Sequence, residues 1–419
     1  MDCTTNIMIF RFKTTPGFLL LILISFVSCC RQDDGIYTID LRGVPDINEI
    51  SLSEMADDIT YIPLSNDSPI GDIYYNTYVY KDHIVINGRD NGVSLFDREG
   101  NFISQIGSKG RGPGEYFFCY NIAVDYEGKM VYVRDSREIK IYTFDGDFIR
   151  SFDTSQHAGL HVSDSRGYKN FLNDIVYFNS RLFVSVYISG GMAYNDWIVI
   201  DKSGNPLIEK LNYIPDFESY MGWGGVTYEY NNKIYYHNHY NDTLFSISSD
   251  LSFEPSIILD LGVTIPETRE WEQEDREKRF IADINEMFET DNYWIMLCMH
   301  LITPMNIEYY YAIVDKDTKE MFFMQSREPS ESKQGSRYTG GIVNDLDGGV
   351  PFQPERYYKE DGREYMLELI SPFTLKEHVA SEDFKNYVPK YPEKKQELIE
   401  LANSLDEMDN LILASVRLK

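Results

Sequence analysis

His83-Ile84-Val85-Ile86-Asn87 and, 46 positions on, Lys129-Met130-Val131-Tyr132-Val133 are two copies of one short strand pattern. A second strand ending in Phe-Asp follows each: Val93-Ser94-Leu95-Phe96-Asp97 and Lys140-Ile141-Tyr142-Thr143-Phe144-Asp145. The chain then turns at Gly100 or Gly146 and enters a third strand at Phe102 or Phe148. Val85 to Val131, Gly100 to Gly146 and Phe102 to Phe148 share the one offset, so the repeat is structural and not a coincidence of composition.

Looser copies follow. Arg181-Leu182-Phe183-Val184-Ser185-Val186 leads to Trp197-Ile198-Val199-Ile200-Asp201 and Gly204. Lys233-Ile234-Tyr235-Tyr236 leads to Thr243-Leu244-Phe245-Ser246-Ile247, and Tyr293-Trp294-Ile295-Met296-Leu297 to Tyr310-Tyr311-Ala312-Ile313-Val314-Asp315. A last copy spans Arg356 to Leu369, which makes six. Repeats of about 46 to 60 residues with three or four short strands are blades, each hiding its neighbour's apolar side. The expected fold is all-β: a six-bladed β-propeller over residues 47–419, with an inserted helix at 266–289 and a C-terminal helical segment at 381–413. Ile412-Leu413-Ala414-Ser415-Val416 and part of Ile47 to Pro63 are candidate closing strands.

Composition agrees. Aromatic residues are 14% of the 419, a share that suits half-buried strands. The net charge is -28, from 39 basic and 67 acidic residues, which disfavours nucleic acid as a partner. Residues 1–30 have the form of an export signal: Arg11 and Lys13, an apolar run from Phe18 to Val27, then Cys29 and Cys30. The run is too short to span a bilayer. Either cysteine is a candidate for lipidation, and residues 31–46 would then be a flexible tether. Membrane contact is expected through the lipid alone. Cys119 and Cys298 have no metal-site spacing; they are buried thiols or a disulfide.

Ile59-Thr60-Tyr61-Ile62-Pro63-Leu64 precedes the first blade, and Gln105-Ile106-Gly107-Ser108-Lys109-Gly110-Arg111-Gly112-Pro113-Gly114-Glu115-Tyr116 follows the first Phe-Asp unit. Asn344-Asp345-Leu346-Asp347-Gly348-Gly349 and Asp409-Asn410-Leu411-Ile412-Leu413 come later. With these segments the chain resembles the six-bladed β-propeller lipoproteins of Gram-negative bacteria, relatives of NHL-type propellers. The resemblance implies an outer-membrane lipoprotein of the cell envelope, with surface exposure suggested by the acidic stretch after the cysteines. It implies almost nothing about chemistry.

The Gly107–Gly114 loop lacks a P-loop ending and reads as a tight inter-blade connection, with Glu115 placed to cap its amides. His237 and His239 alternate on one strand face but have no third ligand nominated. The starts of the innermost strands, which line a propeller's axis, are the better place for a site. Asn121, Asn173, Asp174, Asn285, Asn344 and Asp345 are expected there. Their oxygens would suit sugar hydroxyls or a hard cation such as calcium, or simply line a water-filled channel. Trp223 and Tyr228 are candidate loop contacts for a ligand. No nucleophile elbow or His-Glu-x-x-His motif is present. The first expectation is therefore a non-catalytic, lipid-anchored module that binds a glycan, peptide or protein. The alternatives are a calcium-assisted hydrolase or lyase with an axial site, and a scaffold of an envelope complex.

Overall fold

The computed structural model describes residues 36–43, 46–71, 73–88, 91–135, 138–154, 157, 172–186, 193–213, 225–238, 240–262, 283–303, 306–330 and 337–419. Six antiparallel sheets of four strands form the blades. From innermost to outermost strand, blade 1 runs Ile73–Tyr80 to Phe102–Ile106, blade 2 Asn121–Asp125 to Phe148–Asp153, and blade 3 Leu172–Phe178 to Pro206–Leu211. Blade 4 runs Val226–Tyr230 to Phe253–Asp260, and blade 5 Asp283–Glu289 to Met321–Gln325. Blade 6 begins at Arg356–Glu360 and Arg363–Ile370, takes its third strand from the C-terminus (Ile412–Leu418) and its outermost from the N-terminal part (Ala56–Pro63). The innermost strands touch in the cyclic order of blades 1, 2, 3, 4, 5, 6 and back to 1. The ring is closed.

Alternation explains the closure energetically. On blade 1, Ile84, Ile86 and Phe96 pack with Tyr358, Leu367 and Leu413 of blade 6, while Val85, Val93 and Leu95 pack with Ile122, Val131 and Val133 of blade 2. A side-chain period of two thus gives every blade two apolar faces. The other four interfaces repeat this: Ile141 with Leu182, Phe183 with Tyr236, Leu244 with Met296, and Ile313 with Met366 each join neighbouring blades.

The repeated glycines now have a reason. Gly100, Gly146 and Gly204 have φ of +87°, +90° and +91°, open to glycine at no steric cost. A Cβ on them would lie 2.2 Å from Pro63 O, 2.2 Å from Gln105 O and 2.5 Å from Phe152 Cδ2, all in the preceding blade's outermost strand. The preceding aspartate fixes the turn: Asp97 accepts from Glu99 N and Asn101 N (3.0 and 2.7 Å), and Asp201 from Ser203 N and Asn205 N (2.7 and 2.9 Å). The 46-residue signature is the contact that sets blade against blade.

Asp409-Asn410 latches the ring. Asn410 donates to Ser65 O and Ser68 O (2.6 and 2.8 Å) and accepts from Ile70 N at 2.9 Å, which pins the link between blades 6 and 1. Asn66 donates to Asp409 at 2.7 Å.

Several expectations need correction. Residues 283–289, expected as the end of an inserted helix (266–289), are the innermost strand of blade 5, because Ile284 and Met287 are needed in its core; the rest of that helix lies outside the described residues. The helical segment begins at Pro372, earlier than residue 381, and has three parts (Pro372–Ala380, Glu382–Asn386, Pro392–Ser404) before strand Ile412–Leu418. Ser371 and Ser381 cap two of them, accepting from Thr374 N and Phe384 N. Leu375, Phe384, Leu398 and Ala402 seat the helices on blade 6. The tether expected over 31–46 is partly ordered: Tyr37–Asp40 adds a parallel fifth strand to blade 4, where Ile39 and Leu41 are buried. Asn344 and Asp345 do not begin an innermost strand. They lie in a segment paired to Ile50–Leu52, and Asp345 accepts from Ser53 N and Ser53 Oγ (2.8 and 2.5 Å) at the start of helix Leu52–Met55.

Among the described residues, no helix is long and apolar enough to cross a membrane. Cys119 and Cys298 are both free, buried thiols.

Candidate functional site

Each innermost strand gives a polar residue to the axis. Blade 1 supplies Tyr78, blade 2 Asn121, blade 3 Asn173 and Asp174, blade 4 Glu229, blade 5 Asn285 and Glu286, and blade 6 Arg356. Their charges reach one another: Asp174, Arg356 and Glu229 all act on the Tyr78 hydroxyl. That hydroxyl donates to Ile122 O at 2.8 Å and ties blade 1 to blade 2. Asn121 donates to Asp174 Oδ1 and accepts from Ile175 N at 3.3 Å, tying blade 2 to blade 3. Asn173 donates to Gly225 O at 3.1 Å, tying blade 3 to blade 4. Arg356 donates to Glu286 at 2.8 Å, tying blade 6 to blade 5.

The channel is thus both a set of inter-blade clamps and an electrostatically strained space. Burial pushes the Asp174 carboxyl up to about 6, against the pull of Arg134, Asn121 and Arg356. Burial alone pushes Glu229 up to about 7, although its side chain is open to the channel. Burial and the charge of Glu368 push Glu355 up to about 8. These three carboxyls hold protons more tightly folded than unfolded. Their contribution to stability is complete below about pH 4, where both states are protonated, and is lost as pH rises through 6, 7 and 8. Surface aspartates such as Asp40, held down to about 2 by Arg42, act oppositely but only below about pH 4. The melting temperature is therefore expected to fall between pH 5 and pH 8. Glu229→Gln with Glu355→Gln should flatten that profile; a wild-type midpoint that is level or rises would contradict the assignment.

At the end where the innermost strands begin, the loop from blade 1 to blade 2 forms a lip. Its glycine-rich part is the tight connection expected. Glu115 accepts from Gly112 N at 2.7 Å, and Tyr116 is fully buried, accepting from Val93 N and donating to Ile106 O, both at 3.1 Å. Asp135 then accepts from Phe117 N and Phe118 N at 3.0 and 3.1 Å. This holds Phe117, Phe118 and Tyr120 at the surface, 47%, 40% and 37% exposed. Phe118 and Tyr120 have ring centroids 5.1 Å apart, and the Arg134 guanidinium lies 4.8 Å from the Tyr120 ring centre. Arg134 sits opposite Asn121 in the strand register, so the lip leads to Asn121 and Asp174.

The expected site residues divide accordingly. Asn121, Asn173 and Asp174 come together at the mouth, and Asn285 is exposed on blade 5 at a bulge. Asn344 and Asp345 serve the segment beside blade 6, where Asn344 donates to the Tyr61 hydroxyl at 3.3 Å. Tyr228 is a core residue and not a loop contact: it stacks on Tyr235 at 4.9 Å and donates to Glu289 at 3.1 Å. Trp223, His239, Cys29 and Cys30 lie outside the described residues. The aromatic run Phe117-Phe118-Cys119-Tyr120 is visible in the sequence as a loop between the glycine-rich turn and an innermost strand, whereas Arg134 needs the strand register to be seen. Among the described residues, no three His, Cys, Asp or Glu side chains are grouped so as to hold a metal ion.

Fold and mouth define a class: a closed six-bladed propeller with a charged axial channel and an aromatic lip. The chain belongs to the DUF4934 family, a domain of unknown function, whose family model matches residues 36–417. Among solved structures it is similar to a Bacteroides fragilis protein described as exported, with 17% identity over 91% of this chain and 99% of that one, at a TM-score of 0.59. A member of the DUF4221 family from Bacteroides vulgatus is 11% identical over 89% of this chain and 99% of that one, at a TM-score of 0.47. No curated protein matches the sequence.

Proposed function

We propose that this chain is a non-catalytic binding module of the cell envelope that takes its ligand at the blade 1–2 lip and the adjoining channel mouth. The observation that carries this is the trio Phe117, Phe118 and Tyr120, held at the surface by Asp135 beside the polar groups Asn121, Arg134 and Asp174. Exposed aromatics with polar groups converging behind them are the composition of a ligand site. Cys119 and Cys298 are not candidate nucleophiles, because burial pushes both well above the ordinary thiol range. Attachment at the outer membrane through lipid on Cys29 or Cys30 is our reading of the export-signal pattern, and export agrees with the description of the Bacteroides fragilis neighbour. Arrays of immobilised glycans and peptides test the reading. The double variant Phe118→Ala/Tyr120→Ala should lose tenfold or more in signal on the ligands the wild type retains, with an unchanged melting temperature. Identical wild-type and variant array patterns would sink it.

A further inference from the structure

Arg134 and Lys140 are the buried cations among the described residues, and of the two only Lys140 has an ion pair. Lys140 has Asp135 at 3.7 Å, Lys202 has Asp125 at 2.7 Å, Lys210 has Asp196 at 2.8 Å and Lys316 has Glu289 at 2.5 Å. Arg327 has Glu368 at 2.5 Å and Arg356 has Glu286 at 2.8 Å. Arg134 is only 7% exposed, and among the described residues no carboxylate lies within ion-pair distance of it. Its Nε is buried with no hydrogen-bond partner. The Tyr120 ring lies over the guanidinium, and Asp174 acts on it only through space, Asn121 and Ile175 N (3.1 Å) both bonding the Asp174 Oδ1. Burial lowers its pKa to about 10, so it is still a cation at neutral pH. A buried cation without a counter-ion is unfavourable, and a planar guanidinium is shaped for two parallel bonds to a carboxylate.

We infer that the mouth binds a sugar acid, with the carboxylate of a hexuronate unit paired to Arg134 and its ring lying on Tyr120 and Phe118. The inference rests on the binding-module reading above and names the ligand class of that site. The ring is assigned to the lip because the lip is a surface and not a pocket. Phe118 and Tyr120 stand at an interplanar angle of 31° and are 40% and 37% exposed, an aromatic surface on which a rigid six-membered ring can lie. Arg111, 5.0 Å from the Phe117 ring centre, adds a second cation on the approach for the next acidic unit of a chain. Arg111 and Arg134 share the lip with Glu115 and Asp135, whose oxygens are occupied by the amides of Gly112, Phe117 and Phe118, so the two guanidinium groups are the lip's contacts for an anion.

Titration calorimetry on the full chain in detergent would use three probes: trigalacturonate, neutral galactotriose, and a tripeptide with a free C-terminal carboxylate. Trigalacturonate should bind at least thirtyfold more tightly than the neutral sugar, and more weakly as salt rises. Arg134→Gln should reduce its affinity to that of the neutral sugar while leaving the melting temperature level or higher, since an unpaired charge is removed. Arg134→Lys should keep part of the preference. Equal binding of both sugars, abolished by Phe118→Ala/Tyr120→Ala, would overturn the sugar-acid inference and leave the binding-module reading standing. Tighter binding of the peptide would also overturn it. No binding of any probe would overturn it, leaving the arrays as the separate test of the module itself. A fall in midpoint for Arg134→Gln with unchanged affinity would show a structural arginine instead.

Discussion

A chain ending at Leu411 is expected not to fold cooperatively. The missing strand, Ile412–Leu418, is the third of blade 6 and lies between Arg363–Ile370 and Ala56–Pro63. Ile412, Leu413, Val416 and Leu418 are all buried in it. At about 1.5–3 kcal/mol for each large apolar side chain, their loss alone is roughly 6–12 kcal/mol, comparable to the whole stability of an ordinary domain, about 5–15 kcal/mol. The cost does not stop there. Without this strand Ala56–Pro63 has no partner, the Asn410 latch loses its anchor, and blades 5 and 1 both face a gap. Thermal unfolding followed by circular dichroism should show a broad or absent transition. A midpoint within a few degrees of wild type would mean that the ring does not depend on its closing strand.

Arg327→Met is the second severe change. Glu368 has no exposure to solvent, and its carboxylate is held by Arg327 at 2.5 Å and by Gln353 N at 2.8 Å. Removing the arginine leaves a carboxylate in the wall between blades 5 and 6 with one amide for a partner, and also frees Pro351 O, which Arg327 bonds at 2.7 Å. Breaking a buried pair from one side costs about 3–5 kcal/mol. Burial already pushes the Glu368 carboxyl up, so in the variant it should take a proton, and the destabilisation should shrink at pH 5 relative to pH 8. Arg327→Met with Glu368→Met should recover part of the loss. Recovery stays partial because Gln353 N loses its acceptor, worth about 1–3 kcal/mol. Urea unfolding of the two variants measures this; a single variant as stable as wild type would contradict the buried pair.

Most of the fold was legible because one contact recurs. Wherever Phe-Asp or Ile-Asp is followed by the turn glycine, that glycine meets the preceding blade, and a constant spacing follows from constant geometry. Blade 6 was only half legible: its four strands come from three places in the chain, so periodicity exposes just the hairpin Arg356–Ile370. Asn344 and Asp345 misled because Asn and Asp near a turn look alike whether they open a strand or, like Asp345, accept from a helix start. Tyr228 misled because alternation in Val226–Tyr230 puts it inward, and the glycines before it suggested a loop. The position of Asn121, Asn173 and Asp174 on the innermost strands was legible, because it needed only the rule that first strands line the axis. Arg134 lies on a second strand and reaches the mouth through its pairing with Asn121. Glu229 and Glu355 owe their displaced protonation first to burial, which only the folded ring creates, so no local pattern announces them.

Hydrogen exchange of the intact chain, read by mass spectrometry, tests the closed ring most directly. Amides of Ala56–Pro63 and Ile412–Leu418, more than 340 residues apart, should exchange together, at the slow rate of the innermost blade strands and in one cooperative opening. Fast exchange of either segment while the other stays protected would show that the two ends do not share a sheet, and the six-bladed ring with its channel mouth would be wrong.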